Sequence, residues 1–507
     1  MNISDYRAQF ASFNSALELA RYGRHVGVPA ELDDNEIYGR YGDLFSQATV
    51  ADLQSHREQT PLAYETERSG LGRLLGAARF WHVEMQTSES GKELAHCEST
   101  SRIEWNGEEI ALADVPARLA RESNKKQRAE LGSRWAGSVS ICDEVRTARL
   151  SSFGEVSRAL GFSSYGALIA EATNAKVDSG GLVAHTLLEQ TESAYTAAFA
   201  RLVGRGFPDE PPGDLDFADL PYFESMPWLG KSLSPRDPLQ TYADTMRGLG
   251  IQVDKQPNIQ IDLTPRPSRN SAATCFPVSP PKVVRLSASP LDGAADFLGF
   301  LQQAGKAQHH AWCSKDLARR HPEFVYSVDS ATNEGYGYLF YCLALEPRWL
   351  LEFLRDIDEV QASRIARDVA LQLALRVRRL CADASYIPQL HGEGQASREQ
   401  LQAAYVDSQE RATSFHVLPE LFLLDLHERM APQCHLRALA FSFALREYLR
   451  VRYGSRWWAS RKAGDELIDL WNTASQYSVE ELARLIDFGE LDFDLLAEAM
   501  VRALKGA

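Results

Sequence analysis

Apolar and polar positions recur along most of this chain at the spacing of an amphipathic α-helix. Through residue 130 or so, the stretches 36–45, 50–58 and 63–85 predict helices. Residues 102–110 break the pattern: Asn106-Gly107 between two short alternating runs predicts a β-hairpin. Residues 119–172 return to the helical period, interrupted at Gly161, where a C-capping glycine is a sufficient explanation. Residues 206–235 hold Pro208, Pro211, Pro212, Pro221, Pro227 and Pro235, which interrupt regular structure and predict a long surface connection. A helix follows over 241–250. Ile259-Gln260-Ile261-Asp262-Leu263 and Lys282-Val283-Val284-Arg285-Leu286 then predict strands. Residues 341–507 read as helices punctuated by Pro347 and Pro388. The run 366–380, with Arg364 just before it, carries a basic stripe of Arg364, Arg367, Arg376, Arg378 and Arg379, which reads as a solvated face. The organisation expected is an N-terminal helical lobe (1–205), a Pro/Gly-rich connection (206–240) and a C-terminal lobe (241–507).

The stretch 297–340 is the most informative. Leu298, Leu301, Ala304 and Gly305 form one packed face of a helix, while Gln302, Lys306 and His309 or His310 line another. Asp329 and Ser330 are plausible caps of a second helix carrying Glu334 and Gly335-Tyr336-Gly337-Tyr338. Two helices that each offer polar groups from an apolar body predict a buried polar site between them.

This layout resembles the gluzincin metallopeptidases, in particular the thimet oligopeptidase and oligopeptidase F family. That family writes its first site helix H-E-x-G-H-A and its second around E-G-Y-A. Two His bind zinc, the Glu between polarises a water, and a Glu of the next helix is the third protein ligand. Here the His positions hold Gln302 and Lys306, the general-base position holds Gln303, and only Glu334 matches. Arg266-Pro267-Ser268-Arg269 through Cys275 is similar to a family segment that leads into a strand along the substrate channel. The resemblance places Arg266 and Arg269 where they would meet a ligand carboxylate, with backbone pairing at the strand edge. The segment from His435 to Leu449, followed by Trp457, Trp458 and Trp471, resembles a later one, where a Tyr or His of active relatives steadies the tetrahedral intermediate. Ala431 and His435 stand there in this chain. The fold implied is a mainly α, two-lobed metallopeptidase-like body with a small antiparallel β element lining a deep channel.

The substituted residues point the same way on their own chemistry. A Gln amide is a poor zinc ligand and a protonated Lys has no lone pair to give. Gln303 takes up no proton near neutral pH, so it is no general base. A Lys306 ammonium beside Glu334 would put a cation where the metal charge stood; losing one partner of such a buried pair costs about 3–5 kcal/mol. No metal and no cofactor are therefore expected. The pair equally suits a purely structural role between two helices.

Composition narrows the partners. A net charge of −15 argues against a nucleic-acid groove. No apolar run is long enough to span a membrane, and no signal peptide is read at the start. The seven cysteines are scattered without C-x-x-C spacing, which suggests free thiols in a reducing cytoplasm. Three functions follow. The first is a non-hydrolytic homologue that binds a peptide-like or amino-acid-derived ligand, or a protein partner, in the old cleft. The second is a repurposed metal-independent enzyme. Both draw on Lys306, Glu334 and Gln303 as candidate reactive groups, and on Gln302, His309, Tyr336, Arg266, Arg269 and His435 as candidate contacts. The third, a zinc hydrolase rebuilt from His309, His310 and Glu334, is disfavoured because adjacent helical residues point about 100° apart. His391 and His416 are assigned structural roles.

Overall fold

The computed structural model describes residues 1–173, 177–206, 212–230, 232–233, 237–266, 269–288, 291, 293–354, 356–392, 396–424 and 431–506; for 177–180, 206 and 212 only the backbone is described. Pro208, Pro211, Pro235, Pro267 and Ser268 lie outside them. Helices make up 73% of the structure, beside sheets of two and three strands, so the fold is mainly α. Among the described residues no helix is long and apolar enough to cross a membrane.

The chain divides into two compact units. One comprises Met1–His82, Leu229–Ala366 and Arg437–Ala499; the other comprises Val83–Trp228, Arg367–Leu436 and Met500–Ala507. This interleaved division differs from the contiguous lobes expected. Only the crossing at Trp228/Leu229 falls in the proline-rich stretch. The others fall inside the helices Glu65–Gln86, Glu359–Leu390, Ala431–Tyr453 and Phe493–Lys505 and leave no mark in local composition.

In the first unit, helix Ile3–Val26 starts where Asn2 Oδ1 accepts from Ser4 N–H at 2.9 Å, and stops at Gly27, whose φ of 69° needs no Cβ. The three-stranded sheet has the order Ile259–Asp262, Val283–Ser287, Thr274–Ser279. Its first pair is parallel and its second antiparallel, so the β element is mixed and not antiparallel throughout. Asn258 Nδ2 donates to Pro281 O at 2.8 Å and Ala311 O at 3.0 Å, and so ties the sheet to the helix that follows it.

The second unit contains the expected hairpin. Arg102–Trp105 and Glu108–Ala111 pair antiparallel across Asn106 and Gly107, both at positive φ. Ile103 and Trp105 face a core with Leu131, Trp135, Phe217, Ala218 and Leu421. Gly161, at φ 89°, ends helix Asp143–Ala159 as a capping glycine should. Three expectations fail in or around this unit. The described part of the 206–235 stretch is not simply a surface connection: Leu215, Phe217, Phe223, Leu229 and Leu233 are all buried, because prolines interrupt hydrogen bonding without preventing burial. The basic stripe is not wholly solvated. Arg378 is 1% exposed, donates to Ala412 O at 2.6 Å and Leu188 O at 3.0 Å, pairs with Glu192, and lies 4.5 Å over the Tyr195 ring. Cys97 and Cys142 are joined in a disulfide, with Cα atoms 6.0 Å apart. Sequence spacing cannot reveal such a pairing. The free-thiol expectation holds for buried Cys275, Cys313, Cys342, Cys381 and Cys434 alone, and a reducing compartment loses its main support.

Candidate active-site region of the first unit

The site rests on two helices, Ala294–Trp312 and Ala331–Tyr341. The first is buried around most of its circumference, with Phe297, Leu298, Phe300, Leu301, Ala304, Ala307 and Ala311 in the core, as suits a helix with an interior position. It ends at Cys313, and Ser314 caps the next short helix at Leu317 N–H. The second helix begins where Asp329 Oδ1 accepts from Ala331 N–H at 3.1 Å; Arg437 holds the same carboxylate at 3.2 Å. Glycines set the separation of the pair. A Cβ on Gly305 would stand 2.7 Å from Tyr336 O, and one on Gly337 would stand 2.9 Å from Gln302 O. Gly335 gives the same closeness towards Phe441, at 2.6 Å. Gly335-Tyr336-Gly337 is thus a packing device of crossing helices.

That closeness brings the polar positions together. Lys306 Nζ lies 2.5 Å from Glu334 Oε1, and Gln302 Nε2 donates to Glu334 Oε2 at 3.2 Å. Residues one turn apart on one helix therefore converge on a carboxylate of the next. The Lys306 and Glu334 side chains keep 14% and 11% of their exposure, so the pair is nearly but not wholly sealed. An ammonium has three N–H groups, and Glu334 Oε1 takes one of them.

Gln303 does something the motif does not foretell. Its Oε1 accepts from the Cys275 N–H at 3.1 Å, on the outer edge of strand Thr274–Ser279. The Gln303 side chain thereby occupies a backbone donor that a strand-like ligand would use. Further along, Tyr326 Oη donates to Val278 O at 3.1 Å and Pro277 has no N–H, so little of this edge is open. Cys275 is the residue that the sequence did not single out for chemistry. Burial pushes its thiol up to about 12, against the pull of the Lys306 ammonium, so it is no thiolate nucleophile at neutral pH.

The other candidates fall into three groups. His309 and Tyr336 are 1% and 0% exposed, with ring centroids 4.9 Å apart, in the packing between helices. His309 Nδ1 lies 3.1 Å from Asn333 Oδ1. Burial lowers its pKa, opposed by Asn333 and the Ala474 backbone, and lowers that of His310 further with help from His309 and Lys306. Neither His309 nor Tyr336 presents a surface to solvent. Arg266 and Arg269 converge on Asp262, at 2.9 and 3.2 Å, with Tyr22 Oη on the same carboxylate at 2.6 Å. Burial raises the Asp262 carboxyl, but the bonds from Tyr22, Thr264 and Arg266 outweigh it and hold the group well below the usual range. The two arginines are thus committed within the chain and not free for a ligand carboxylate. His435 is half-buried near the start of helix Ala431–Tyr453 and belongs to the second unit.

The donor set around Glu334 does not fit zinc: an ammonium and an amide stand where two imidazoles would be needed. Among the described residues no three His, Cys, Asp or Glu side chains are grouped to hold a metal ion. No family model and no curated protein matches this chain.

Proposed function

We propose that the chain is a non-hydrolytic homologue of the zinc oligopeptidases, with Lys306 in the electrostatic place of the metal and a peptide-like or amino-acid-derived ligand held at the Lys306–Glu334 site. The supporting observation is the contact itself. Overlaying H-E-x-G-H and E-G-Y on this chain requires residues 302 and 306 to meet residue 334, and both side chains do bond to Glu334. Of the glycines that let the two helices approach, Gly305 and Gly337, the first stands at the motif's own glycine position, while the motif's second glycine, Gly335, lies against Phe441 instead. The remaining ammonium N–H groups of Lys306 would take a carbonyl or carboxylate oxygen of the ligand, a charge-assisted bond stronger than a neutral one. Chemistry on that ligand has no general base at position 303, since the Gln303 amide is already an acceptor for Cys275 N–H.

The test is a pair of assays on the full chain. Elemental analysis after dialysis is expected to find no stoichiometric zinc, and quenched fluorescent peptides are expected to remain uncut. Fluorescence anisotropy with labelled short peptides is expected to show binding that weakens by about tenfold or more in Lys306→Met. Chelator-sensitive cleavage by a homogeneous preparation would overturn the proposal. So would peptide binding unaffected by Lys306→Met.

A further inference from the structure

We infer that the second unit carries an anion site for the phosphate groups of a small phosphorylated molecule. It is a groove of about 320 Å³ where helices Val177–Gly206, Glu359–Leu390 and Phe493–Lys505 meet. Among the described residues, Arg201, Arg205, Arg367 and Lys505 line it, with Asp368 as the single carboxylate. Four cations against one anion leave a local excess of three positive charges on a chain whose net charge is −15. Such crowding of like charge is unfavourable unless something negative answers it.

The charges are only partly answered within the protein. Arg205 pairs with Asp368 at 2.6 Å, and Arg201 Nη2 donates to Leu504 O at 3.0 Å. Neither Arg367 nor Lys505 meets a carboxylate among the described residues. Cations do gather at helix C-termini, where the macrodipole is negative. That explains Arg205 and Lys505, which lie in last turns. It does not explain Arg367, which lies inside Glu359–Leu390, well away from either end. Its side chain is steered over Gly506, where a Cβ would come within 2.7 Å of Arg367 Cδ.

The residue types favour phosphate over a single carboxylate. Three guanidinium forks and an ammonium match an anion with several oxygens and two or three charges. The volume is at the low end of small-molecule sites, which suits a phosphorylated metabolite and not a polymer. Leu202 and Leu371, also in the lining, offer an apolar patch for the remainder of such a ligand.

Calorimetric titration of the 507-residue chain with inorganic pyrophosphate tests this, with inorganic phosphate and succinate as comparison probes. Saturable binding of pyrophosphate is expected, tighter than phosphate and much tighter than succinate. Arg367→Ser with Lys505→Ser removes two cations that meet no carboxylate among the described residues, so thermal unfolding without ligand should be unchanged or raised while binding weakens by about tenfold or more. Asp368→Asn removes the one opposing charge and should tighten binding severalfold, an effect that misfolding cannot mimic. No binding by the wild type at millimolar pyrophosphate overturns the inference. So do binding that survives the double substitution, equal affinity for succinate, and weakening by Asp368→Asn.

Discussion

Lys306→Met is expected to lower the folding stability of the full chain by about 3 kcal/mol, because it takes the Lys306 ammonium from a nearly buried carboxylate. The Gln302 amide at 3.2 Å remains, but a neutral donor does not replace a charge at 2.5 Å. Glu334→Gln alone is expected to cost a similar amount, since it strands the ammonium. The combined substitution leaves neither charge and should regain most of the loss, giving a coupling energy of about 2 kcal/mol or more in the double-mutant cycle. Denaturant unfolding of the four proteins measures it. Additive losses would mean that the two groups do not interact in the folded chain.

Gly305→Ala is expected to destabilise by about 2 kcal/mol, the ordinary range for forcing an extra carbon into a packed core. In an exposed helix the same change would stabilise by about 1 kcal/mol, so the sign decides whether the helices cross as closely as described. The new Cβ would stand 2.7 Å from Tyr336 O, which is backbone and cannot rotate away, and 2.7 Å from the Phe340 ring. Gly299, on the same helix, has nothing within 4 Å of its Cβ position. Gly299→Ala is therefore the control, expected to be neutral or stabilising. Equal effects at the two positions would contradict the crossing geometry.

The parts of this protein legible from the sequence are those fixed by short-range pattern. Helical periodicity gave the mainly α fold, Asn106-Gly107 gave the hairpin, and Gly161 gave a helix end. The Lys306–Glu334 contact was expected only through the resemblance, by laying one family motif over both helices, and the two side chains do meet. What stayed hidden depends on partners far along the chain. Arg378 looks like part of a surface stripe until the carbonyls of Leu188 and Ala412 surround it. Arg266 and Arg269 look available until Asp262 takes both. The Cys97–Cys142 bond joins residues 45 apart with no spacing signature. Gln303 reads as a lost general base, while its bond to the Cys275 backbone depends on where strand Thr274–Ser279 packs. The division into units was invisible because most crossings run through uninterrupted helices.

If Gln302, Lys306 and Glu334 stand in the frame of a zinc site, restoring the ligands should restore the metal. Gln302→His, Gln303→Glu and Lys306→His together supply two imidazoles one helical turn apart and a carboxylate between them. Glutamate at 303 keeps an acceptor for the Cys275 N–H, so the strand edge is not abandoned. The measurement is zinc content per chain after equilibration with zinc and exhaustive dialysis, by elemental analysis, for the wild type and the triple variant side by side. The expected result is about one zinc per chain in a folded triple variant, with a melting temperature raised by the metal, and essentially none in the wild type. A folded triple variant that retains no more zinc than the wild type would contradict the proposed descent of this site from a metal centre.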